Sequence, residues 1–206
     1  MNQNNEIDSG HSLSSAKAGG RNDGFFKIPQ ILGLSLIIDI ILFDQLSKWW
    51  ITEYIIRPLI DGTPIGLGEW IMNAPDRLSA GISTAIMPYF NLTMVWNEGV
   101  SFGMLQDAGI WPLAIMAMVI SAFLGHWLWK STSKFEAVSL GMIIGGAIGN
   151  TIDRFRFGAV ADFFDVYVGT YHWPAFNIAD AAISIGVVLL LIHGMFLDKK
   201  DKEKNE

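Results

Sequence analysis

Cysteine is absent from the 206 residues, so the chain has no disulfide, no thiolate nucleophile and no zinc–thiolate site. Charge is scarce: 17% of residues are charged, and a formal balance of −6 argues against nucleic acid as a partner. Histidine is rare, at four. His11 lies in a polar N-terminal stretch, His126 and His193 fall toward the far ends of apolar windows, and His172 stands alone, which is no zinc site. No metal and no cofactor are expected. Residues 1–27, rich in Asn, Ser and Gly, lack the apolar core of a secretory signal and read as a disordered tail. No serine has an obvious lysine or histidine beside it. Ser101 in NEGVSFG is the best-placed hydroxyl, so Ser–His and Ser–Lys nucleophile arrangements find no support.

What is abundant is apolar length. Half of the chain (51%) is hydrophobic, and four windows approach the roughly 20 residues needed to cross about 30 Å of hydrocarbon. They run over about 28–51, 110–129 and 135–152, with a last one reading as helix from Ala181 to about Leu197. The third carries GMIIGG, small residues that let helices approach closely. The chain therefore reads as an α-helical membrane protein with four transmembrane helices. Between the first two windows lies a polar-aromatic connector from Thr52 to Gly109, with turn formers in RPLIDGTPIG and alternation in YFNLTMVW. The connector FRFGAVADFFDVYVGTYHWPAF, between the last two, is also strand-like. Both fall on one side of the membrane and are expected to fold together as a small sheet. Nine Lys and Arg (Lys17, Arg21, Lys27, Lys130, Lys134, Lys199, Lys200, Lys202, Lys204) lie on the other side, against five here (Lys48, Arg57, Arg77, Arg154, Arg156). That bias puts both termini in the cytoplasm and the sheet outside.

Acids near a membrane are costly, roughly 2.5 to 3.5 kcal/mol for Asp at a helix centre, so each requires a reason. The candidates are Asp39, Asp44, Asp153, Asp162, Asp165 and Asp180. All but Asp39 fall near the outer end of a window or in an outer connector. Two carboxylates in contact do not both ionise and can act as acid and base together. Each acid alone has a plainer explanation. Asp44 and Lys48 form an i,i+4 pair, Asp153 adjoins Arg154, Asp180 stands where a helix N-terminus is capped, and Asp162 and Asp165 suit turns. Taken together, beside Asn97, Asn150 and Asn177, they suggest a site. Three functions remain open on these grounds: a hydrolase, a proton-coupled transporter and a non-enzymatic membrane scaffold.

The strings FDQLSKWWI, NEGVSFGM, GGAIGNTIDRFRFGAVADFF and PAFNIADAAI occur in that order. As a set they resemble the lipoprotein signal peptidases, the type II signal peptidases of bacterial inner membranes, over roughly residues 31–197. The resemblance implies a periplasmic β-cradle (about 52–109 and 155–176) in a peptidase domain over 28–198, followed by a basic cytoplasmic tail over 199–206. It implies cleavage of diacylglyceryl-modified prolipoproteins just before the lipidated cysteine by an aspartyl dyad, which matches Asp162 of VADFF and Asp180 of FNIAD. Asn97, Asn150, Asn177 and Arg154 match polar groups that hold substrate backbone and support the dyad, and Asp44 and Asp153 match supporting acids. The expected partners are prolipoproteins and membrane lipids, with the protein a monomer. Met94, Trp96, Phe102 and Met104 are candidates to accept acyl chains or the signal helix, or else simple core. The N-terminal tail and the insertion RPLIDGTPIGLGEWIMNAPDRLSAG are longer than the family needs.

Overall fold

The computed structural model describes residues 27–60, 62–99 and 111–197. Helix α1 (Ile28–Trp50) opens on Pro29, which suits a first turn whose N–H groups need no partner. It continues as a π-helical turn (Ile51–Ile56) and a 3-10 turn (Arg57–Ile60). A short helix α2 (Leu67–Met72) and strands β1 (Ser83–Met87) and β2 (Phe90–Asn97) follow. Helices α3 (Trp111–Lys130) and α4 (Lys134–Phe157) lead to strands β3 (Val160–Val168) and β4 (Tyr171–His172), and then to helix α5 (Ile178–Ile192). Four helical stretches are long and apolar enough to cross a membrane: Ile28–Ile60, Trp111–Lys130, Lys134–Phe157 and Ile178–Met195. The protein is a multi-pass membrane protein.

The first span runs past the expected end near Ile51, so the outer connector begins after Ile60 and not at Thr52. The polar residues that suggested an end are satisfied inside the helix. The Thr52 hydroxyl donates to the Lys48 carbonyl at 2.7 Å, and buried Glu53 accepts both Arg57 Nε (2.5 Å) and Arg57 Nη2 (3.0 Å) one turn on. Glu53 also accepts the Ile65 amide at 3.1 Å, tying the returning loop to the helix. Pro58 then sits in the closing 3-10 turn, where proline stops a helix. Within the insertion, α2 replaces part of what reads as turns, and its Trp70 is buried.

Helix α4 is central and packs against α1, α3 and α5. Its N-terminus is capped by Ser133, whose hydroxyl accepts the Glu136 amide, and Gly158 ends it in a left-handed conformation with φ of 70°. The small residues of GGAIGN set the spacing. A Cβ on Gly149 would lie 2.7 Å from the Asp44 carboxylate, and one on Gly146 would run into the Ala179 carbonyl of α5. The packing expected of GMIIGG is present, and it brings the polar end of α4 directly onto both neighbours.

At that end the four strands form one antiparallel sheet in the order β1-β2-β3-β4, built from both outer connectors. Under it lie Ile51, Ile56, Leu92, Met94, Ala161 and Phe163. Phe155 to Phe157, expected as strand, belong instead to the last turn of α4.

Candidate active site

Asn177 is the N-cap of α5, which starts at Ile178 and therefore earlier than Ala181. Its Oδ1 accepts the Asp180 amide at 2.9 Å while Asp180 Oδ2 accepts the Asn177 amide at 3.3 Å, a reciprocal capping box. The plain reading of Asp180 as a cap thus holds, but it uses one carboxylate oxygen only. Oδ1 takes a 2.7 Å hydrogen bond from Asn150 Nδ2 on α4. With its oxygen committed to the cap, Asn177 turns its amide nitrogen outward to Asp162 Oδ1 at 2.7 Å and to Asn150 Oδ1 at 3.1 Å. Asp162, on β3, receives a second bond on Oδ2 from Asn97 Nδ2 at 3.0 Å, at the end of the paired strand β2. The Asp162 and Asp180 carboxyls are thus linked through Asn177 and Asn150, close enough for each to act on the other. Asp162 is buried and Asp180 half-buried.

A second polar layer lies beneath. Lys48 Nζ sits between Asp44 and Asp153, 2.7 Å from each, with all three side chains essentially closed to solvent. Each acid uses its remaining capacity to hold a different part of the site. Asp44 Oδ1 accepts the Ala179 amide at 3.0 Å, fixing the start of α5 beside Asp180. Asp153 Oδ2 accepts the Ala161 amide at 3.1 Å, fixing β3 beside Asp162. Gln45 joins the two acids, donating to Asp153 Oδ1 at 2.8 Å and to Asp44 Oδ2 at 3.2 Å. Such a cluster is tolerated in a buried place only because nearly every lone pair and proton has a partner.

Burial raises the Asp162 carboxyl, and the Asp180 charge and hydrogen bond raise it further, against the Asn97 hydrogen bond and the more distant Lys48. It is pushed up to about 7, so Asp162 is the natural seat of a shared proton near neutrality. Arg154 acts electrostatically on Asp180, Asp153 and Asp162. Its Nη1 reaches the Asn150 carbonyl at 3.3 Å, while its buried Nε has no partner among the described residues. A guanidinium donor is thus left unused beside the two carboxyls.

The structure brings Asp162, Asp180, Asn97, Asn150 and Asn177 into one hydrogen-bonded group, with Arg154 alongside and Asp44 and Asp153 directly below. Asp39 is exposed on α1 and outside it. Asp165 belongs to β3 and not to a turn, and three residues from Asp162 it faces the opposite side of the sheet. Burial alone would raise it, but bonds from His172 (2.7 Å), Asn91 (3.2 Å) and Thr93 (3.1 Å) hold it below its usual value. Met94 is fully buried under the sheet, and Trp96 donates to the Leu78 carbonyl at 2.8 Å and packs on Phe157. Met94 is therefore core, while Trp96 is partly buried at the edge of that core. Ser101, Phe102 and Met104 lie outside the described residues. Among those described, no group of three or more His, Asp or Glu is arranged to hold a metal ion. Sequence reasoning missed Gln45, and it read Lys48 only as a helix-surface partner of Asp44; its signal was the i,i+4 spacing, which says nothing of Asp153.

Fold and site together define a multi-pass membrane protein with paired carboxyls at the sheet-covered end of its helices. The family model described as Signal peptidase (SPase) II matches residues 36–196. Among its relatives, the lipoprotein signal peptidase of Burkholderia mallei (strain SAVP1) is 38% identical over 170 residues, covering 78% of this chain and 84% of that protein. The lipoprotein signal peptidase of Hydrogenovibrio crunogenus is 35% identical over 174 residues, covering 82% and 88%. A bacterial membrane enzyme solved by the in meso method at 1.9 Å is 28% identical, with a TM-score of 0.61, covering 80% of this chain and 92% of that one. The chain belongs to the signal peptidase II family.

Proposed function

We propose that the chain is an aspartic endopeptidase whose dyad is Asp162 and Asp180, and that it cuts diacylglyceryl-modified prolipoproteins just before the lipidated cysteine. As a member of the family it is a peptidase that removes signal peptides from prolipoproteins. The observation that carries the aspartic reading is the geometry of the pair: Asn177 and Asn150 tie the buried Asp162 carboxyl and the Asp180 carboxyl into one hydrogen-bonded group, and burial with the Asp180 charge raises Asp162. One proton held by the pair leaves one acid and one base at neutral pH. The ionised carboxylate removes a proton from a water placed between the two groups, and the resulting oxygen attacks the scissile carbonyl carbon. The protonated carboxyl gives its proton to the carbonyl oxygen. The tetrahedral intermediate then collapses: the amide nitrogen takes a proton from the pair, the C–N bond breaks, and one hydroxyl of the gem-diol returns its proton to the pair as the new carboxyl group forms, which restores the single-proton state. Asn150, Asn177 and Asn97 hold the carboxyls in place, and Arg154 adds positive charge beside them. Asp44, Asp153 and Lys48 fasten the two segments that carry the dyad.

The location of the pair supports this substrate. A cysteine bearing two acyl chains keeps its neighbouring peptide bond at the membrane interface, and the dyad stands where β3 and the first turn of α5 meet the ends of the spanning helices. The buried acids gather at that one end and mark no path across the bundle, which disfavours a proton-coupled transporter. The family resemblance favours a bacterial inner membrane, and the Lys and Arg bias favours both termini in the cytoplasm with the dyad near the periplasmic face. The deciding experiment is cleavage of a diacylglyceryl-prolipoprotein by the purified protein. The wild type is expected to release the signal peptide and Asp180→Asn is not; equal cleavage by both overturns the dyad.

A further inference from the structure

A groove of about 260 Å³ runs along the outside of the bundle, and neither Asp162 nor Asp180 lines it. Its walls are Ile41, Leu42 and Leu46 of α1, Ile152 of α4, and Leu67 and Ile71 of α2. Arg156 stands at its sheet-side rim. The guanidinium is held flat, 3.9 Å from the Trp70 ring centroid and 4.7 Å from that of Phe157. It donates to the Trp70 carbonyl and, at 3.3 Å, to Gln45 Oε1, both neutral acceptors. Among the described residues no carboxylate lies within ion-pair distance of it; Asp153 acts at longer range and is committed to Lys48 and Gln45. Arg154 serves the dyad, and two residues along a helix are about 200° of rotation, so Arg156 faces the other way. The apolar walls and the unneutralised cation share one opening, at the depth where α4 ends.

We propose that this groove binds an anionic glycerophospholipid of the surrounding bilayer, with an acyl chain lying along the α1–α4 wall and the phosphodiester paired with Arg156. Charge complementarity selects this occupant. A planar guanidinium, fixed by stacking and weakly hydrated, matches phosphate oxygens and has no protein counter-ion. Gln45, the one other polar side chain on the lining, is already bonded to Asp44, Asp153 and Arg156, so the remaining apolar walls suit a hydrocarbon chain better than a peptide backbone. Exposed Ile71 and Met72 place α2 against the same interface, so the roof of the groove is itself a membrane contact.

The test uses the purified full-length protein in a neutral detergent. Phosphatidylglycerol and phosphatidylcholine with identical chains are added in turn, and retained lipid is read by native mass spectrometry alongside the thermal unfolding midpoint. The wild type is expected to retain phosphatidylglycerol about fivefold more strongly, the effect of one cation near a phosphate. Arg156→Gln is expected to lose the preference, and Leu46→Trp, which fills the groove and keeps the cation, to retain less of both lipids. Arg77→Gln, whose exposed side chain pairs with Glu98, serves as control and is expected to keep the preference. Equal retention of the two lipids by the wild type overturns the proposal, as does an undiminished preference in Arg156→Gln or undiminished retention in Leu46→Trp. A midpoint shift with glycerol phosphate alone as large as with the lipid shows an anion site only and overturns it too. If Arg156→Gln fails to fold, the wild-type comparison and Leu46→Trp decide.

Discussion

At the residue scale, Asp162 sets stability against activity. Its carboxyl is raised in the folded protein from the ordinary 3.8 to about 7, so the folded state disfavours the ionised form. The resulting cost is absent below about pH 4, grows between 4 and 7, and is complete above 7, where linkage makes it on the order of 4 kcal/mol at most. Asp162→Asn therefore gains thermal stability relative to the wild type as pH is raised from 5 to 8. A midpoint difference that stays constant over that range contradicts the raised carboxyl. The same variant is expected to lose cleavage by roughly 10²- to 10⁴-fold, the scale of acid–base catalysis. Asp180→Asn and the double variant should lose similar amounts, because a shared-proton pair acts as a unit. Cleavage by the wild type should be bell-shaped in pH, falling on the alkaline side as the pair gives up its proton near 7. Asp165→Asn, on the far face of the sheet, keeps most of the activity; a loss as deep as that of Asp162→Asn would sink the dyad assignment. Lys48→Met leaves Asp44 and Asp153 facing each other without a cation. Removal of one partner from a buried pair costs about 3–5 kcal/mol, read as a large drop in the unfolding midpoint in detergent.

At the element scale, α4 is the part whose spacing everything else obeys. A methyl group on Gly146 or Gly149 meets the Ala179 backbone or the Asp44 carboxylate, and neither is the far end of a flexible chain. Gly146→Ala and Gly149→Ala are each expected to cost about 1–3 kcal/mol and to reduce cleavage, because they push α5 or Asp44 away from the dyad. Gly125→Ala on α3 has open space and should be neutral or slightly stabilising through helix propensity. Unfolding midpoints and cleavage rates for the three variants check this. The small-residue string was readable as a packing signal, yet nothing in its spelling says which glycine meets which helix. The extension of α1 was unreadable for a related reason. Thr52, Glu53 and Arg57 look like the start of a polar loop until their partners on the same helix and at Ile65 are known.

For the whole molecule, the charge bias makes a topological prediction. A reporter fused after Lys204 should report the cytoplasm and one inserted near Asp76 the opposite compartment. The same compartment for both contradicts the three crossings that lie between them. Deletion of Asn2 to Ala18 should leave membrane insertion and cleavage nearly intact, since the elements that carry the dyad all lie downstream. A fall in turnover with normal insertion would show that the tail contributes to function.

Hydropathy and order along the chain were enough to establish four spans, a small sheet made from two connectors, and carboxylates at the ends of α4 and α5. These are local properties: a window is apolar or not regardless of its neighbours, and a span needs only length. The motif strings added which two aspartates are proposed as the dyad. Tertiary structure alone decided how the site is assembled. Asn97 and Asp162 are 65 residues apart and meet because β2 and β3 pair in one register, with an irregularity between Leu92 and Val95; a slip of one residue would turn Asn97 to the other face. Asn177 caps α5 and holds Asp162 at once only because α4, brought in by its glycines, leaves β3 within reach of that cap. Lys48 becomes the centre of two ion pairs because α1 and α4 cross where Asp153 faces it, and the angle at which two helices cross is set by their packed surfaces, not by either sequence read alone.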